Sequence, residues 1–200
     1  ISKERVLTIE MFLIVGLGNP GKFYKNNRHN IGYKIIDNIR EIYNFPDFSK
    51  KFKSEFSKSE FNKNILFLLK PTTFMNNSGI ALKEIKDFYN ININKIYVIH
   101  DEIDLDQGRV KVKNGGGHNG HNGLKSIDNF IGKNYNRVRV GISRPSKIYE
   151  NNIDENISNW VLSDFTSDEK KQWLDNTIIY VSEMIISLIK NQSDFCDKNV

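Results

Sequence analysis

The chain of 200 residues has a single cysteine, no long apolar run and no strong excess of either charge. Cys196 cannot form a disulfide within the chain, which favours a reducing compartment. The first residues lack the basic-then-apolar pattern of a signal peptide. No apolar run approaches the roughly 20 residues that a membrane span needs. We therefore expect a cytoplasmic protein that does not cross a membrane.

The charge balance is mildly basic, with 29 Lys and Arg against 24 Asp and Glu and a net charge of +5. Such an excess allows a polyanionic partner without requiring one. Hydrophobic and aromatic contents of 38% and 12% are typical of a globular protein, and this length suits one domain. The predicted domain covers 11–191, between an N-terminal extension of 1–10 and a polar C-terminal tail of 192–200.

The hydrophobic pattern predicts an α/β fold: a single domain with a mixed, twisted central sheet flanked by helices. Short apolar or alternating runs predict strands at 12–17, 96–100, 109–113 and 137–142, with a hairpin over 50–70. Helical spacing predicts helices at 31–43, from about 77 to 88, and at 123–131. In the second of these we expect Ile80, Leu82, Ile85 and Phe88 to face the core.

The C-terminal part of the chain carries two further patterns. Thr166 with Glu169 forms a capping-box pattern, which predicts the start of the longest helix. We expect that helix to end near Asn191. The polar stretch 143–159, which precedes it, indicates a surface loop or a lid.

A glycine motif follows the first predicted strand. Gly16-Leu17-Gly18-Asn19-Pro20-Gly21 matches G-x-G-x-x-G, the dinucleotide-binding fingerprint. That fingerprint must open directly into a helix, and its second strand must end in an acid about 20 residues on. Here a polar stretch comes before the helix. The nearest candidate for the acid, Asp37, lies inside the predicted helix and not at the end of a strand. We interpret the motif as a tight turn that holds the Asn19 side chain at the sheet edge.

Each of the four histidines is followed at once by asparagine or aspartate. The pairs are His29-Asn30, His100-Asp101, His118-Asn119 and His121-Asn122. Imidazole, carboxylate and amide groups together supply a proton acceptor, a group that orients it, and donors for an oxyanion. Because the chain holds 26 asparagines, a single asparagine means little outside such a context. The pattern predicts a polar active site and hydrolysis by a His–Asp pair acting on water.

We expect the segments that carry these residues to converge. They are 16–21, 28–32, 74–79, 100–102 and 115–123, and they lie at predicted strand ends or helix starts. Ligands of open α/β sheets bind outside the carboxyl ends of the strands. The predicted site therefore lies at that edge of the sheet.

Two other kinds of active site compete with this prediction. A zinc site would use several histidines, but the pair His118 and His121 lacks the H-E-x-x-H pattern and lies in a glycine-rich loop. A serine nucleophile would need a G-x-S-x-G elbow, which the sequence lacks, and Ser78 suits a helix cap.

At these residues the chain resembles the bacterial peptidyl-tRNA hydrolase family. The resemblance rests on IVGLGNPGKFY, RHNIG, KPTTFMNNSG, HDEIDLDQGRVKVKNGGGHNGHNGLKSI and RVRVGISRP, in that order along the chain. It implies a single α/β domain that cleaves the ester between a peptide and the 3′-terminal ribose of tRNA. It also implies a monomer that needs no metal, no other cofactor and no obligate protein partner.

The resemblance also implies residue roles. His29 matches the catalytic base, Asp101 the carboxylate that holds it, and Asn19 the residue that separates N-blocked from free aminoacyl-tRNA. The positions that match the binding site for the peptide and the 3′ CCA end are Tyr24, Phe74, Met75, Asn76 and Asn122. The basic positions expected near acceptor-stem phosphates are Lys111, Lys113 and Arg139; the two lysines alternate on one strand face.

The chain departs from the family pattern at Asn119 and Ser143, where glycine is more common, which puts fine substrate preference in doubt. The resemblance assigns no catalytic role to His118 or His121. Two alternatives remain: a non-catalytic RNA-binding relative, and a metal-dependent amidohydrolase that uses His100 together with those two histidines.

Overall fold

The computed structural model describes residues 9–146 and 152–198, where seven strands form one sheet in the order β2-β3-β4-β1-β5-β7-β6. The strands are β1 (Met11–Gly16), β2 (Ser49–Lys51), β3 (Ser54–Phe61), β4 (Asn64–Pro71), β5 (Ile96–Glu102), β6 (Val110–Asn114) and β7 (Asn136–Gly141). The helices are α1 (Ile31–Ile42), α2 (Ser78–Phe88), α3 (Asn122–Ile131), α4 (Ile153–Val161), α5 (Ser167–Glu169) and α6 (Asp175–Lys198). A π-helical segment, Lys170–Leu174, joins α5 to α6.

The four central strands, β4, β1, β5 and β7, are parallel, and antiparallel strands flank them on both sides. The apolar run of β1 is buried on both faces of the sheet. Phe12 and Ile14 pack with α1 and α6, whereas Leu13 and Val15 pack with α2 and α3. A strand covered on both faces needs such a continuous apolar run. The predicted α/β fold with a mixed sheet is confirmed.

Close backbone contact places α1 against the end of β1. A Cβ added to Gly16 would lie 2.2 Å from the carbonyl oxygen of Gly32, and one added to Gly32 would lie 2.4 Å from the Leu17 nitrogen. Both positions therefore require glycine. The contact holds the start of α1, and the 3-10 turn Arg28–Asn30 before it, over the carboxyl ends of β1 and β5.

Two details of the predicted elements are wrong. Segment 50–70 holds the predicted β3–β4 hairpin, but its start pairs as a further strand, β2, through a turn at Phe52 and Lys53. Phe88 does not face the core and is 64% exposed, with its ring against Phe52 and Tyr89. The buried stripe of α2 includes Ala81 instead, and Phe88 is the last residue of the helix.

The C-terminal predictions need similar changes. The capping box is present: Thr166 Oγ1 accepts the Glu169 N–H, and the Glu169 carboxylate accepts the Thr166 N–H. The helix ends at Lys198 instead of near Asn191. Part of the predicted loop 143–159 is helical, since α4 begins at Ile153. Residues 147–151 of that stretch, and 1–8 of the predicted extension, lie outside the described residues.

Candidate active site

A cleft of about 750 Å³ opens at the carboxyl ends of the parallel strands. The segments predicted to converge do meet here. Residues after β1 and β4, the end of β5, and the glycine-rich segment before α3 all contribute to the walls. The predicted site residues that line the cleft are Asn19, His29, Phe74, Met75, Asn76, Asp101 and Asn122.

His29 and Asp101 form the polar centre of the cleft. The Nδ1 atom of His29 lies 2.8 and 2.9 Å from the two carboxylate oxygens of Asp101. Because an ionised carboxylate can only accept, Nδ1 carries a proton, and in the neutral form of the ring the lone pair is on Nε2. Burial alone would raise the pKa of Asp101, but the imidazoles of His29 and His121 outweigh it and hold that pKa below its usual range. The arrangement orients a neutral imidazole to accept a proton.

His121 is a second partner of the same carboxylate. Its Nδ1 accepts the N–H groups of Gly123 and Leu124 at 3.2 and 3.3 Å, so this side chain caps α3. An accepting Nδ1 requires the proton on Nε2, which donates to Asp101 Oδ1 at 3.1 Å. Asp101 therefore accepts hydrogen bonds from two imidazoles, and the helix cap sets the tautomer of one of them.

Asn19 presents amide protons to the cleft. Its Oδ1 accepts the Met75 N–H at 2.8 Å, which fixes the orientation of the amide. Its backbone is held by Asn30, whose side chain accepts the Asn19 N–H and donates to the Asn19 carbonyl, both at 2.9 Å. The Asn19 Nδ2 group therefore faces the cleft as a donor. The turn interpretation of the glycine motif agrees with this geometry, since no α-helix directly follows Gly21.

The β4 side of the cleft carries an aromatic rim. Phe74 is half-exposed and has a left-handed backbone with φ of 57°. Its ring meets Tyr24 edge to face, with the centroids 6.2 Å apart. Met75 is buried, whereas Asn76 is exposed. A strained backbone at a site of this kind indicates that the surrounding fold holds Phe74 in place.

The basic side chains lie at the opposite edge of the sheet. Lys111 on β6 pairs with Arg139 on β7, so these side chains and Lys113 share one face. Both lysines are exposed. Arg139 differs from them, because its Nε donates to the Glu102 carboxylate at 3.0 Å. The two lysines are therefore the more accessible of these three charges.

Comparisons with known proteins agree with this geometry. A family model described as "Peptidyl-tRNA hydrolase" matches residues 13–199. The peptidyl-tRNA hydrolase of Bartonella bacilliformis is 45% identical over 184 residues, covering 92% of each chain. That of Rickettsia canadensis is 50% identical over 161 residues, covering 80% of this chain and 83% of its own. The chain belongs to the peptidyl-tRNA hydrolase family.

Solved structures of the family share the fold. The crystal structure of the peptidyl-tRNA hydrolase from Acinetobacter baumannii is 33% identical, covers 92% of each chain and has a TM-score of 0.80. A complex of a peptidyl-tRNA hydrolase with N-propanol is 34% identical, covers 92% of this chain and 91% of its own, and has a TM-score of 0.82. The predictions of the family and of a hydrolytic enzyme are confirmed.

Within this peptidyl-tRNA hydrolase fold, one group among the described residues has the spacing of a metal site. Ligand atoms of His29, Asp101 and His121 lie within 4.8 Å of one another. These are not the three histidines of the metal alternative: His100 Nδ1 instead donates to the Asp101 carbonyl at 2.7 Å. A metal on His121 Nε2 would displace the proton that the cap of α3 places there. The hydrogen bonds therefore oppose a metal at this position.

Two parts of the site were missed by the sequence analysis. His121 had no assigned role: it lies two residues before the predicted helix 123–131, and histidine is not among the usual N-cap residues. The wall formed by α4 was predicted as a loop. Its inward side chains are Asp154, Ile157, Ser158 and Val161, with Leu162 following. The spacing of Ile153, Ile157 and Val161 is helical and was the available signal.

The two departures from the family's pattern have a common backbone feature. Asn119 and Ser143 both have left-handed backbones, with φ of 46° and 56°. Glycine suits this conformation, and asparagine tolerates it better than serine. At Ser143 the hydroxyl accepts the Gln107 N–H at 3.1 Å, and the carbonyl accepts the Trp160 indole N–H at 2.8 Å. Serine therefore adds one contact that glycine could not make.

Proposed function

We propose that the cleft hydrolyses the ester between a peptide and the 3′-terminal ribose of tRNA, with His29 as the general base. The observation that carries this proposal is the His29–Asp101 pair, bonded at 2.8 Å at the centre of the cleft. Membership of the peptidyl-tRNA hydrolase family supports the substrate. A non-catalytic RNA-binding relative is not favoured, since such a protein would need neither the pair nor its fixed tautomers.

The reaction follows from the positions of the protons. His29 Nε2 takes a proton from a water molecule as the water oxygen attacks the ester carbonyl. Asp101 stabilises the imidazolium that forms, and a general base of this kind contributes about 10²–10⁴-fold in rate. The Asn19 amide donates to the substrate and supports the tetrahedral oxyanion. Collapse of that intermediate expels the ribose oxygen, which takes the proton from the imidazolium.

We infer the orientation of the substrate from the two exposed lysines and from the aromatic rim. The exposed Lys111 and Lys113 suit phosphates of the acceptor stem, because cationic side chains on one face can follow a phosphate track. The 3′ CCA end would then enter the cleft from the β6 and β7 edge. The peptide would lie toward the rim formed by Tyr24 and Phe74.

We further propose that the enzyme acts as a monomer without a metal ion. The hydrogen bonds around His121 support the second point, because its Nε2 proton faces Asp101. Sedimentation of the active enzyme tests the first point, and a chelator tests the second.

The decisive experiment measures release of tRNA from N-acetylaminoacyl-tRNA and from unblocked aminoacyl-tRNA. It compares the wild type, His29→Ala and Asp101→Asn, each with and without EDTA. We expect the wild type to cleave only the blocked substrate, with no effect of EDTA. Because an amide permits the wrong tautomer of His29, Asp101→Asn should lose up to about 10⁴-fold in kcat.

Two results would overturn parts of this proposal. A folded wild type that binds tRNA but cleaves neither substrate would identify a binding relative. Loss of activity with EDTA, restored by one divalent metal, would show that the group of His29, Asp101 and His121 is a metal site.

A further inference from the structure

Arg28 directly precedes His29, yet neither the reaction above nor the resemblance gives it a role. Its side chain is only 4% exposed, which is unusual for arginine. A buried guanidinium must be paired and hydrogen-bonded to be tolerated. Its partners therefore show what this residue holds together.

The guanidinium contacts four groups, all within 160–169. Its Nη2 donates to both carboxylate oxygens of Glu169, at 2.9 and 2.7 Å. Its Nη1 donates to the Ser163 hydroxyl and the Asp164 carbonyl, both at 2.7 Å. Its flat face lies 3.7 Å from the ring centroid of Trp160. Such a forked and stacked arrangement suits arginine and cannot be reproduced by lysine.

These partners are themselves anchored. Glu169 caps the C-terminal helix and also accepts the Gln107 side-chain amide at 3.0 Å. Trp160 lies near the end of α4, and its indole N–H donates to Ser143 after β7. The guanidinium thus joins the turn that bears the base to α4, which lines the cleft. The hydrogen bonds of Arg28 therefore connect residues that are 135 or more positions apart in the sequence.

The turn itself is too short to hold its own shape. It is a 3-10 segment of three residues, Arg28–Asn30, and such segments depend on their surroundings. Two backbone bonds dock it: the Arg28 N–H donates to Ser163, and the Phe165 N–H donates to Asn26, at 3.0 and 3.1 Å. The Arg28 side chain adds the buried contacts to Glu169 and Trp160. The base therefore receives its position from this cluster as well as from Asp101.

We propose that Arg28 is a positioning residue that sets His29 against Asp101 and, through Trp160, holds α4 as the wall of the cleft. The inference rests on His29 being the base of the proposed function. Loss of the hydrogen bonds of the Arg28 guanidinium displaces the His29 imidazole, and a displacement of about 1 Å can cost about 10²-fold in rate. Loss of the Trp160 contact loosens the wall and weakens substrate binding.

The test uses Arg28→Lys, which keeps the positive charge but loses the set of hydrogen bonds made by the guanidinium and its stacking on Trp160. We expect kcat on N-acetylaminoacyl-tRNA to fall about 10²-fold. In nitrogen-15 NMR, the Nδ1–H signal of His29 should broaden or shift, because its bond to Asp101 is disturbed. Trp160→Phe keeps an aromatic face but loses the bond to Ser143, so KM should rise by a larger factor than kcat falls.

The matched control is Arg40→Lys. Arg40 lies on α1 and pairs at 2.9 Å with Asp47, whose side chain is 98% exposed. That variant should retain the kcat, KM and His29 signal of the wild type. If Arg28→Lys does not fold, Glu169→Gln replaces it, since the amide keeps the shape of the side chain but loses its negative charge and one of the two oxygens that accept from Arg28. We expect kcat to change in the same direction, by a smaller factor.

The following outcomes would overturn the positioning role of Arg28 or the role of His29 as the base. A folded Arg28→Lys with lower thermal stability but wild-type kcat and His29 signal overturns the positioning role, and so does an unaffected Glu169→Gln. If His29→Ala keeps its activity, the proposed base is wrong, whatever the Arg28 variants do. If His29→Ala is inactive while Arg28→Lys is fully active, only the positioning role fails.

Discussion

His100 lies directly before Asp101 and should make the stability of the fold depend on pH. It is 1% exposed, and its Nδ1–H donates to the Asp101 carbonyl at 2.7 Å. Burial, and next the nearby His121, lower the pKa of His100 to about 3. In the unfolded chain the pKa of a histidine is about 6.5. Between these two values only the unfolded state binds the proton, so acid favours unfolding.

The magnitude follows from the difference between the two pKa values. Above pH 6.5 both states are neutral at His100 and the residue contributes no pH dependence. Below that pH the free energy of unfolding falls by about 1.4 kcal/mol for each pH unit, until the pKa of the folded state is reached. Between pH 7 and pH 5 the loss is about 2 kcal/mol. A change of one unit in the folded-state pKa would not alter that figure, because pH 5 would still lie above it.

Urea unfolding of the wild type and of His100→Asn at pH 7, 6 and 5 measures this effect. Asparagine keeps an N–H group near the position of Nδ1 but does not titrate. The wild type should lose about 2 kcal/mol more than the variant over this range, whatever their difference at pH 7. Parallel profiles, within about 0.5 kcal/mol, would refute the reasoning, since His100 would then titrate alike in both states.

Two further predictions concern the substrate. Asn19→Asp keeps an acceptor for the Met75 N–H but loses the donor that faces the cleft. We therefore expect kcat/KM for N-acetylaminoacyl-tRNA to fall about 10²–10³-fold. A loss below about threefold would contradict this role of Asn19. Lys111→Gln and Lys113→Gln should each raise KM and reduce the salt dependence of tRNA binding by about one unit of slope. The exposed Lys58 on β3 is the control, and Lys58→Gln should leave that slope unchanged; equal slopes in all three variants would exclude the phosphate track.

The pattern of apolar residues was sufficient to predict most elements. The run in β1 and the spacing of α1 reflect burial, which local sequence records directly. The errors occur where burial depends on the neighbours. Phe88 continues the apolar spacing of α2, but it is the last residue of that helix and its exposed ring packs on Phe52 and Tyr89 instead of on the core. The mostly polar composition of 143–159 concealed α4, whose few apolar side chains line an open cleft.

The motifs around His29, Asp101 and Asn19 predicted a hydrolytic enzyme, and that prediction is confirmed. Their predicted roles remain predictions, to be tested by the variants above. The motifs could not show which donor and acceptor groups are joined by hydrogen bonds. The tautomer of His121 depends on the backbone of Gly123 and Leu124, and the orientation of Asn19 depends on Met75.

By itself, the sequence determined the fold class, the family and the types of residue at the carboxyl edge of the sheet, because periodicity and local turn chemistry are properties of short segments. Only the tertiary structure decided the proton positions at Asp101, the ion pair that holds Arg139, and the cluster around Arg28. These are contacts between segments distant in sequence: Arg28 and Glu169 are 141 residues apart. Hydrogen bonds of this kind require distances near 3 Å, and only the packed fold sets those distances.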